Sequence, residues 1–259
     1  MTQKQFWLVC AVPGGLLLLF VLLPLGWTVL STTPGALGET LRDAEVRRSI
    51  GLTLGASAIA TGLALLGGLP LAYLLARTRF RGKRLVEAVV DLPVVIPHTA
   101  AGIALLMVFG RQGLLGQHFL RLGVIFTDSL WGIVVAMLFV SLPYLVNMSR
   151  ESFALVDVEM ERVALIDGAS PAQAFWHITL PQAWRGIAGG ALMMWARGIS
   201  EFGAVVILAY NPKIVPVLIY ERFEGFGLKT ALPVAVILIV VALAVFSLLR
   251  WLLMPERRD

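Results

Sequence analysis

The most regular feature of the chain is a succession of long apolar runs that contain no charged residue. Five such runs cover residues 6–38, 49–76, 92–110, 129–149 and 230–249, and a sixth, 186–212, is interrupted by Arg197 and Glu201 alone. Each run is long enough for a helix to cross about 30 Å of hydrocarbon. Because the runs are continuous and not alternating, they favour helices over the strands of a β-barrel. The sequence therefore predicts an all-α integral membrane protein with six transmembrane helices.

Composition supports this prediction. Of the 259 residues, 58% are hydrophobic and 14% are charged, whereas an average soluble domain has about 25% charged residues. This supply of charge is too small to cover a soluble core. The single cysteine, Cys10, cannot pair within the chain, and the three histidines are too scattered to form a metal site. No metal and no nucleic-acid partner are expected, because a net charge of +5 is by itself weak evidence for nucleic-acid binding.

The distribution of basic residues predicts which side each connection faces. The first apolar run is longer than the 7 to 15 residues of a typical signal-peptide core, which argues that it is retained as a span. Placing the N-terminus in the cytoplasm puts most basic loop residues inside, as the positive-inside rule requires. Five of them lie in one short connection: Arg77, Arg79, Arg81, Lys83 and Arg84. We therefore expect a multi-pass protein of the cell (inner) membrane with both termini in the cytoplasm.

Prolines inside the predicted spans favour a packed bundle, because neighbouring helices or a cavity must satisfy the carbonyl groups that proline leaves free. They include Pro13, Pro24, Pro70, Pro93, Pro97 and Pro143. Pro93 and Pro97 are expected to break the third helix beside a cavity. The glycine pairs Gly51/Gly55 and Gly186/Gly190 have the spacing that permits close helix packing, but such pairs are frequent by chance in a glycine-rich chain.

The longest predicted cytoplasmic connection, residues 150–185, carries clear helix-capping signals. Asp157 is placed to cap a short helix that runs to Asp167, and Gly168 offers the left-handed position that ends a helix. A second short helix is predicted through Ile178, with Pro181 as its stop. Its starting signals are Ser170 as N-cap, Pro171 in the first turn and Gln173 as capping-box partner. Two stiff helices joined at a glycine corner indicate either a docking element or an ordinary helical loop at the membrane surface.

This connection also resembles a known family. The run Glu161–Gly168, nine further residues and then Ile178–Pro181 resemble the EAA loop of type I ABC importer permeases, whose pattern is E-A-A-x3-G-x9-I-x-L-P. The spacing from glycine to proline matches, whereas Arg162 and Val163 stand where the family has Glu and its first Ala. In that family the loop docks into a separate ATPase subunit. The resemblance implies that the ATPase-coupling residues are Glu161, Ala164, Asp167, Gly168, Ala169, Ser170, Pro171, Ile178, Leu180 and Pro181.

A second match narrows the resemblance. The stretch 196–206, the pair Asn211-Pro212 and residues 218–223 resemble molybdate and tungstate permeases, and sulfate permeases less closely. The resemblance implies a MetI-like bundle with an N-terminal helix and first external loop at 1–48, a permease core at 49–254 and a cytoplasmic tail at 255–259. It also implies a pathway subunit for a tetrahedral oxyanion, which is not itself an enzyme.

The partners follow from the same resemblance. The chain is expected to form a homodimer in the lipid bilayer, with two copies of an ABC ATPase and a periplasmic or extracellular oxyanion-binding protein. No G-x-x-x-x-G-K-[ST] phosphate loop occurs in the chain, so ATP and Mg²⁺ are expected on the ATPase, with no cofactor in this chain.

Arg197 and Glu201 are the charged residues of the run 186–212, which is the fifth of the six predicted spans in chain order. Four residues apart, they would share one helical face about 6 Å apart along the axis. One hypothesis is that Arg197, or the nearby Ser200, helps a dianion to cross; the other, which the sequence favours, is a structural ion pair that holds helices in register. The residues assigned to a translocation path or gate are Arg197, Ser200, Glu201, Phe202 and Gly203.

Two other function classes are weaker. A secondary transporter or channel would be expected to carry coupling acids or inverted repeats within its spans, and a membrane enzyme would need reactive side chains clustered at one site. Neither pattern is visible in the sequence.

Overall fold

The computed structural model describes residues 2–253, which form helices and connections without any β-strand. The helices are α1 Gln3–Leu30, α2 Pro34–Arg42, α3 Ala44–Arg77, α4 Lys83–Val95, α5 His98–Phe109, α6 Gly116–Arg121, α7 Leu130–Leu155, α8 Val158–Ile166, α9 Pro171–Ala174, α10 Leu180–Ile199, α11 Gly203–Leu208, α12 Val215–Phe226 and α13 Leu228–Leu253. A π-helical segment, the π-turn Phe175–Thr179, joins α9 to α10. The predicted tail, 255–259, and the last residue of the predicted core lie outside the described range.

Within residues 2–253, four helices are long and apolar enough to cross a membrane: α1, α3, α7 and α13. They coincide with the first, second, fourth and sixth predicted spans. The third and fifth predicted spans are not single straight helices. A bent pair, α4 and α5, would make a fifth crossing if the two halves form one span. The all-helical prediction is confirmed. Four of the six predicted spans are single helices; the break in the third was expected, whereas the division of the fifth, 186–212, between α10 and α11 is a correction.

The third predicted span is broken between α4 and α5, whose axes differ by 113°. Ile96 adopts an extended conformation, as expected for a residue before proline, and Pro97 has no N–H to continue the helix. The break expected at this pair of prolines is therefore confirmed at Pro97. Pro93, in contrast, remains buried inside α4.

Several predicted boundaries also shift. The first apolar run is divided, because α1 ends at Leu30 and Thr33 caps a new helix by accepting a hydrogen bond from the backbone N–H of Ala36. The connection predicted at 150–185 narrows to 156–179, since α7 extends to Leu155 and α10 already begins at Leu180. The lengths of the apolar runs and the positions of the charged residues therefore located these elements but misplaced their ends by several residues.

The centre of the bundle is formed by α3, α7 and α10, with α5 and α11 packed beside α7. Small residues allow this close packing. A Cβ atom added at Gly186 would lie 1.6 Å from Oγ of Ser152, and one at Gly190 would lie 3.1 Å from Cβ of Met148. The second of the two glycine pairs is thus a real helix contact, whereas Gly51 and Gly55 have open space around them.

Candidate coupling loop and translocation site

The candidate coupling loop, hereafter the coupling loop, is the connection 156–179 between α7 and α10. Its first helix, α8, has the ends that its sequence predicts. Asp157 is its N-cap, and a carboxylate oxygen accepts a hydrogen bond from the backbone N–H of Glu159 at 3.0 Å. Gly168 has φ of 93°, and its N–H bonds to the carbonyl of Leu165, while the N–H of Ala169 bonds to the carbonyl of Ala164 at 2.9 Å. This pattern is a Schellman motif, which glycine forms without steric strain. The glycine corner is confirmed.

The second helix starts as predicted but does not stop where predicted. Ser170 and Gln173 form a reciprocal capping box, with distances of 3.3 Å and 2.8 Å. The chain then passes through the π-turn, where the N–H of Leu180 bonds to the carbonyl of Phe175, and continues directly into α10. Pro181 therefore lies in the first turn of a long helix and does not terminate a short one. The wider π-turn and the first-turn position both tolerate the missing N–H of proline.

The outer surface of this loop is apolar and accessible. Ile166 is 84% exposed and Trp176 is 62% exposed. A shallow groove between α8 and the π-turn is lined in part by Met160, Val163 and His177. Of the predicted coupling residues, those at the exposed corner are Asp167, Gly168, Ser170, Pro171 and, further along, Pro181; those that are half-buried are Glu161, Ala164, Ala169, Ile178 and Leu180.

Glu161 does not point outward with the corner. Its Oε1 lies 2.7 Å from Nη2 and 3.1 Å from Nε of Arg77, at the end of α3, and accepts a hydrogen bond of 2.6 Å from the hydroxyl of Thr179. Nη2 of Arg77 also donates to the carbonyl of Val156 at 3.0 Å. The sequence analysis missed the roles of Arg77 and Thr179, because partners 84 and 18 residues away from Glu161 leave no local signal.

A second site forms where the two broken helices meet. The break between α4 and α5 brings His98, the first residue of α5, to the break between α10 and α11. Nη2 of Arg197 lies 3.1 Å from Oε2 of Glu201 and about 3 Å from both ring nitrogens of His98. The prediction that Arg197 and Glu201 form a pair is confirmed. The prediction that they share one continuous helix is wrong, since α10 ends at Ile199.

Glu201 is completely buried at this junction. Its Oε1 accepts a hydrogen bond of 2.8 Å from the backbone N–H of Ala204, in the first turn of α11. Its Oε2 lies 3.2 Å from Nδ1 of His98 and close to Arg197, yet neither contact has the geometry of a hydrogen bond. Oε1 is therefore held by a backbone hydrogen bond, and Oε2 by the charge of Arg197. His98 is the third member of the cluster, and the sequence offered no reason to assign it a role.

The remaining predicted path residues surround this junction. Ser200 is exposed and accepts a hydrogen bond of 3.3 Å from Nη1 of Arg197. Phe202 is half-buried, with its ring 5.0 Å from the ring of Tyr220. Gly203 permits the close approach of α5, because a Cβ atom there would lie 2.8 Å from Cβ of His98. The structure thus brings all five predicted residues together.

A third group of charges lies at the other end of α3 from Arg77. Arg222 of α12 pairs with Asp43, and Lys213 pairs with Glu221 at 2.7 Å and with Glu45 at 3.2 Å. The hydrogen bond from Arg222 holds the pKa of Asp43 below its usual value. In the same way, Lys213 lowers the pKa of Glu221, which in turn raises that of Lys213. These ion pairs connect α12 and the segment before it to the junction of α2 and α3.

Comparison with known proteins gives the family of the chain. Residues 68–254 match the family model described as binding-protein-dependent transport system inner membrane component. The chain is 44% identical to the molybdate/tungstate transport system permease protein WtpB of Pyrococcus furiosus, over 92% of both chains. It is 46% identical to WtpB of Thermococcus kodakarensis, over 83% of this chain and 81% of that one.

Solved structures agree with the fold. A chain of a bacterial ABC transporter involved in the import of the acidic polysaccharide alginate superposes with a TM-score of 0.74 at 17% identity, covering 98% of each chain. At this identity the likeness concerns the fold alone. Because the family model matches most of this chain and the relatives match nearly all of it, the chain belongs to the family of binding-protein-dependent transport system inner membrane components.

Proposed function

We propose that this chain is the permease subunit of an ATP-driven importer for a tetrahedral oxyanion, with molybdate or tungstate as its substrate. The observation that carries this proposal is the stiff two-helix loop, with exposed Ile166 and Trp176, at one end of an apolar helical bundle. The substrate rests on the named relatives. Sulfate, another tetrahedral dianion, is the alternative substrate.

We propose six membrane crossings, formed by α1, α3, the pair α4 and α5, α7, the pair α10 and α11, and α13. The 34 residues of α3 span about 51 Å, so the cluster at Arg77 and the cluster at Asp43 lie at opposite ends of the bundle. The basic connection 77–84 shares its end with the coupling loop, through the contact of Arg77 with Glu161. This arrangement supports a cytoplasmic position for both, and for both termini.

The proposed division of the chain is an N-terminal helix and external loop at 1–48, a permease core at 49–254 and a tail at 255–259. We propose two ATPase subunits, which bind ATP and Mg²⁺, at the coupling loop, an oxyanion-binding protein outside the membrane, and a second copy of this chain. The nearly complete exposure of α1, whose main contact within the described residues is with α13, supports contact with lipid or with that second copy.

In the coupling loop, we assign the corner at Gly168 and the apolar groove beside it to the contact with the ATPase. The corner is exposed, and its Schellman motif keeps the two helices at a fixed angle. Such a rigid element transmits a movement of the ATPase to α7 and α10, which flank it.

At the junction of the broken helices, we propose that Arg197, Ser200, Glu201, Phe202 and Gly203 border the translocation path. The burial of Glu201 favours a mainly structural role for its pair with Arg197. A guanidinium that is permanently neutralised attracts an anion weakly, and weak binding suits a path from which the substrate must leave.

The test is ATPase activity of the chain reconstituted in proteoliposomes with its ATPase, with binding protein outside that is loaded with tungstate, molybdate or sulfate. We compare Gly168→Trp with Gly123→Trp. Both glycines have positive φ, 93° and 80°, and open space around them, so the two variants introduce similar local strain.

We expect tungstate or molybdate to stimulate the wild type and Gly123→Trp, and stimulation to be lost in Gly168→Trp. Stimulation by sulfate alone would support the permease function, with sulfate as the substrate in place of molybdate or tungstate. Failure of the wild type to assemble with an ATPase would favour a channel or secondary transporter.

A further inference from the structure

We propose that Arg77 is a positioning residue for energy coupling: by holding Glu161, it connects the coupling loop to α3, so that movement of the docked ATPase reaches the full length of that helix. This inference rests on the proposed function. It assigns Glu161 an inward role, as the attachment of the loop to the bundle, and leaves the contact with the ATPase to the exposed corner.

The first argument is geometric. A single oxygen of Glu161 receives two N–H groups of Arg77 and the hydroxyl of Thr179, all between 2.6 and 3.1 Å. The same guanidinium holds the carbonyl of Val156, where α7 ends and the loop begins. Arg77 thereby connects three separate parts of the chain, namely the end of α3, the start of the loop and α8.

The second argument is burial. The side chains of Arg77 and Glu161 are only 11% and 12% exposed, and Thr179 is fully buried. By contrast, the neighbouring pair of Arg162 with Glu159 lies on the surface of α8, where both side chains are about two-thirds exposed. Removing one partner of an ion pair costs more free energy when the pair is shielded from water than when it is exposed. The contact of Arg77 with Glu161 is therefore expected to persist when the docked ATPase moves the loop.

The third argument is the packing beneath the ion pair. The rings of Tyr73 in α3, Phe153 in α7 and Phe175 in the π-turn form an aromatic cluster with centroids 4.9 to 6.0 Å apart. This cluster keeps the base of the loop seated even without the ion pair, because aromatic packing does not depend on charge. The loop is therefore expected to fold and dock when Arg77 is replaced, while its connection to α3 becomes loose.

The test uses the full complex of the chain with its ATPase in proteoliposomes, with tungstate-loaded binding protein outside. Arg77→Gln is compared with Arg79→Gln, an exposed neighbour that removes the same charge and has no ion pair within residues 2–253. We measure assembly by size-exclusion chromatography, basal ATPase activity, its stimulation by the loaded binding protein, and tungstate uptake per ATP hydrolysed.

For Arg77→Gln we expect normal assembly and basal activity, with stimulation and uptake per ATP reduced about tenfold, as for the loss of a typical coupling between two sites. Arg79→Gln should behave like the wild type. Arg77→Lys keeps the charge but not the forked donor geometry. Its stimulation and its uptake per ATP should lie between those of Arg77→Gln and the wild type. The exchanged pair Arg77→Glu with Glu161→Arg should recover part of the stimulation.

If the stimulation and uptake of Arg77→Gln equal those of the wild type, the inference is overturned. If Arg77→Gln fails to assemble, Arg77→Lys decides. Reduced stimulation in an assembled Arg77→Lys complex supports the inference, whereas an unchanged rate, or loss of assembly here too, assigns Arg77 a purely structural role. Absence of stimulation in the wild type would instead refute the proposed function.

Discussion

Two buried carboxylates, Glu161 in the coupling loop and Glu201 at the helix junction, are each neutralised by an arginine, but in different ways. Glu201 has its arginine four residues earlier in the chain, and His98 completes the cluster. Glu161 receives its arginine from a helix 84 residues earlier. A local pair stabilises a break within one segment, whereas a distant pair ties two elements together. Similar chemistry therefore supports different roles, one in the structure of the bundle and one in the proposed transmission of movement.

A third pair extends the comparison. Asp43 is held by Arg222 at the opposite end of α3, where its side chain is 36% exposed, compared with 12% for Glu161 and none for Glu201. Removing one partner of an ion pair costs more free energy of unfolding where water cannot take its place. Burial therefore predicts which substitutions destabilise the protein most.

The largest effect is expected for Glu201→Ala. The substitution leaves Arg197 without a counter-charge and removes the hydrogen bond to the backbone of Ala204. We expect a loss of about 3–5 kcal/mol, typical of breaking a buried pair, measured as thermal unfolding of the protein in detergent. Glu45→Ala, at a half-exposed position, is the control and should change stability by less than about 1 kcal/mol. A small effect of Glu201→Ala would show that water reaches this carboxylate.

Arg197→Gln tests the same buried pair from its other partner and separates the two roles proposed for the helix junction. We expect the folded complex to be lost together with transport, because Gln leaves the buried carboxylate of Glu201 uncompensated. Size-exclusion chromatography of the complex and tungstate uptake are measured on the same preparation. Normal assembly with lost uptake would contradict the structural role and would make Arg197 a residue of the path.

The smallest effect on stability is expected for the pair of Asp43 with Arg222, which is the most exposed of the three. It is measured as a dependence of stability on pH. Because Arg222 lowers the pKa of Asp43 in the folded protein, this pair stabilises the fold above the ordinary pKa of aspartate, 3.8. The stabilisation is lost as pH falls from there through the lowered pKa. The melting temperatures of wild type and Asp43→Asn, compared between pH 7 and pH 3, should converge at the acidic end. The difference at pH 7 should correspond to at most about 1 kcal/mol, and a constant difference would argue against the pair.

The sequence was a good guide where the signal was local. The capping residues Asp157 and Ser170 and the corner at Gly168 were all placed correctly, because each acts through hydrogen bonds to its own chain neighbours. Pro97 broke its helix as expected. Pro181 did not, because the preceding π-turn changed the hydrogen-bonding pattern that makes an internal proline unfavourable.

By itself, the amino-acid sequence determined that the chain is a helical membrane protein, where its main apolar helices lie, and where the caps and the glycine corner of the loop between α7 and α10 fall. Apolar length and capping chemistry depend on neighbouring residues, so they can be read along the chain. Only the tertiary structure decided that Glu161 faces inward to Arg77 and Thr179, and that His98 joins Arg197 and Glu201. These contacts depend on how helices that are distant in sequence pack together, because charge attraction and burial are set by distance in space and not by separation along the chain.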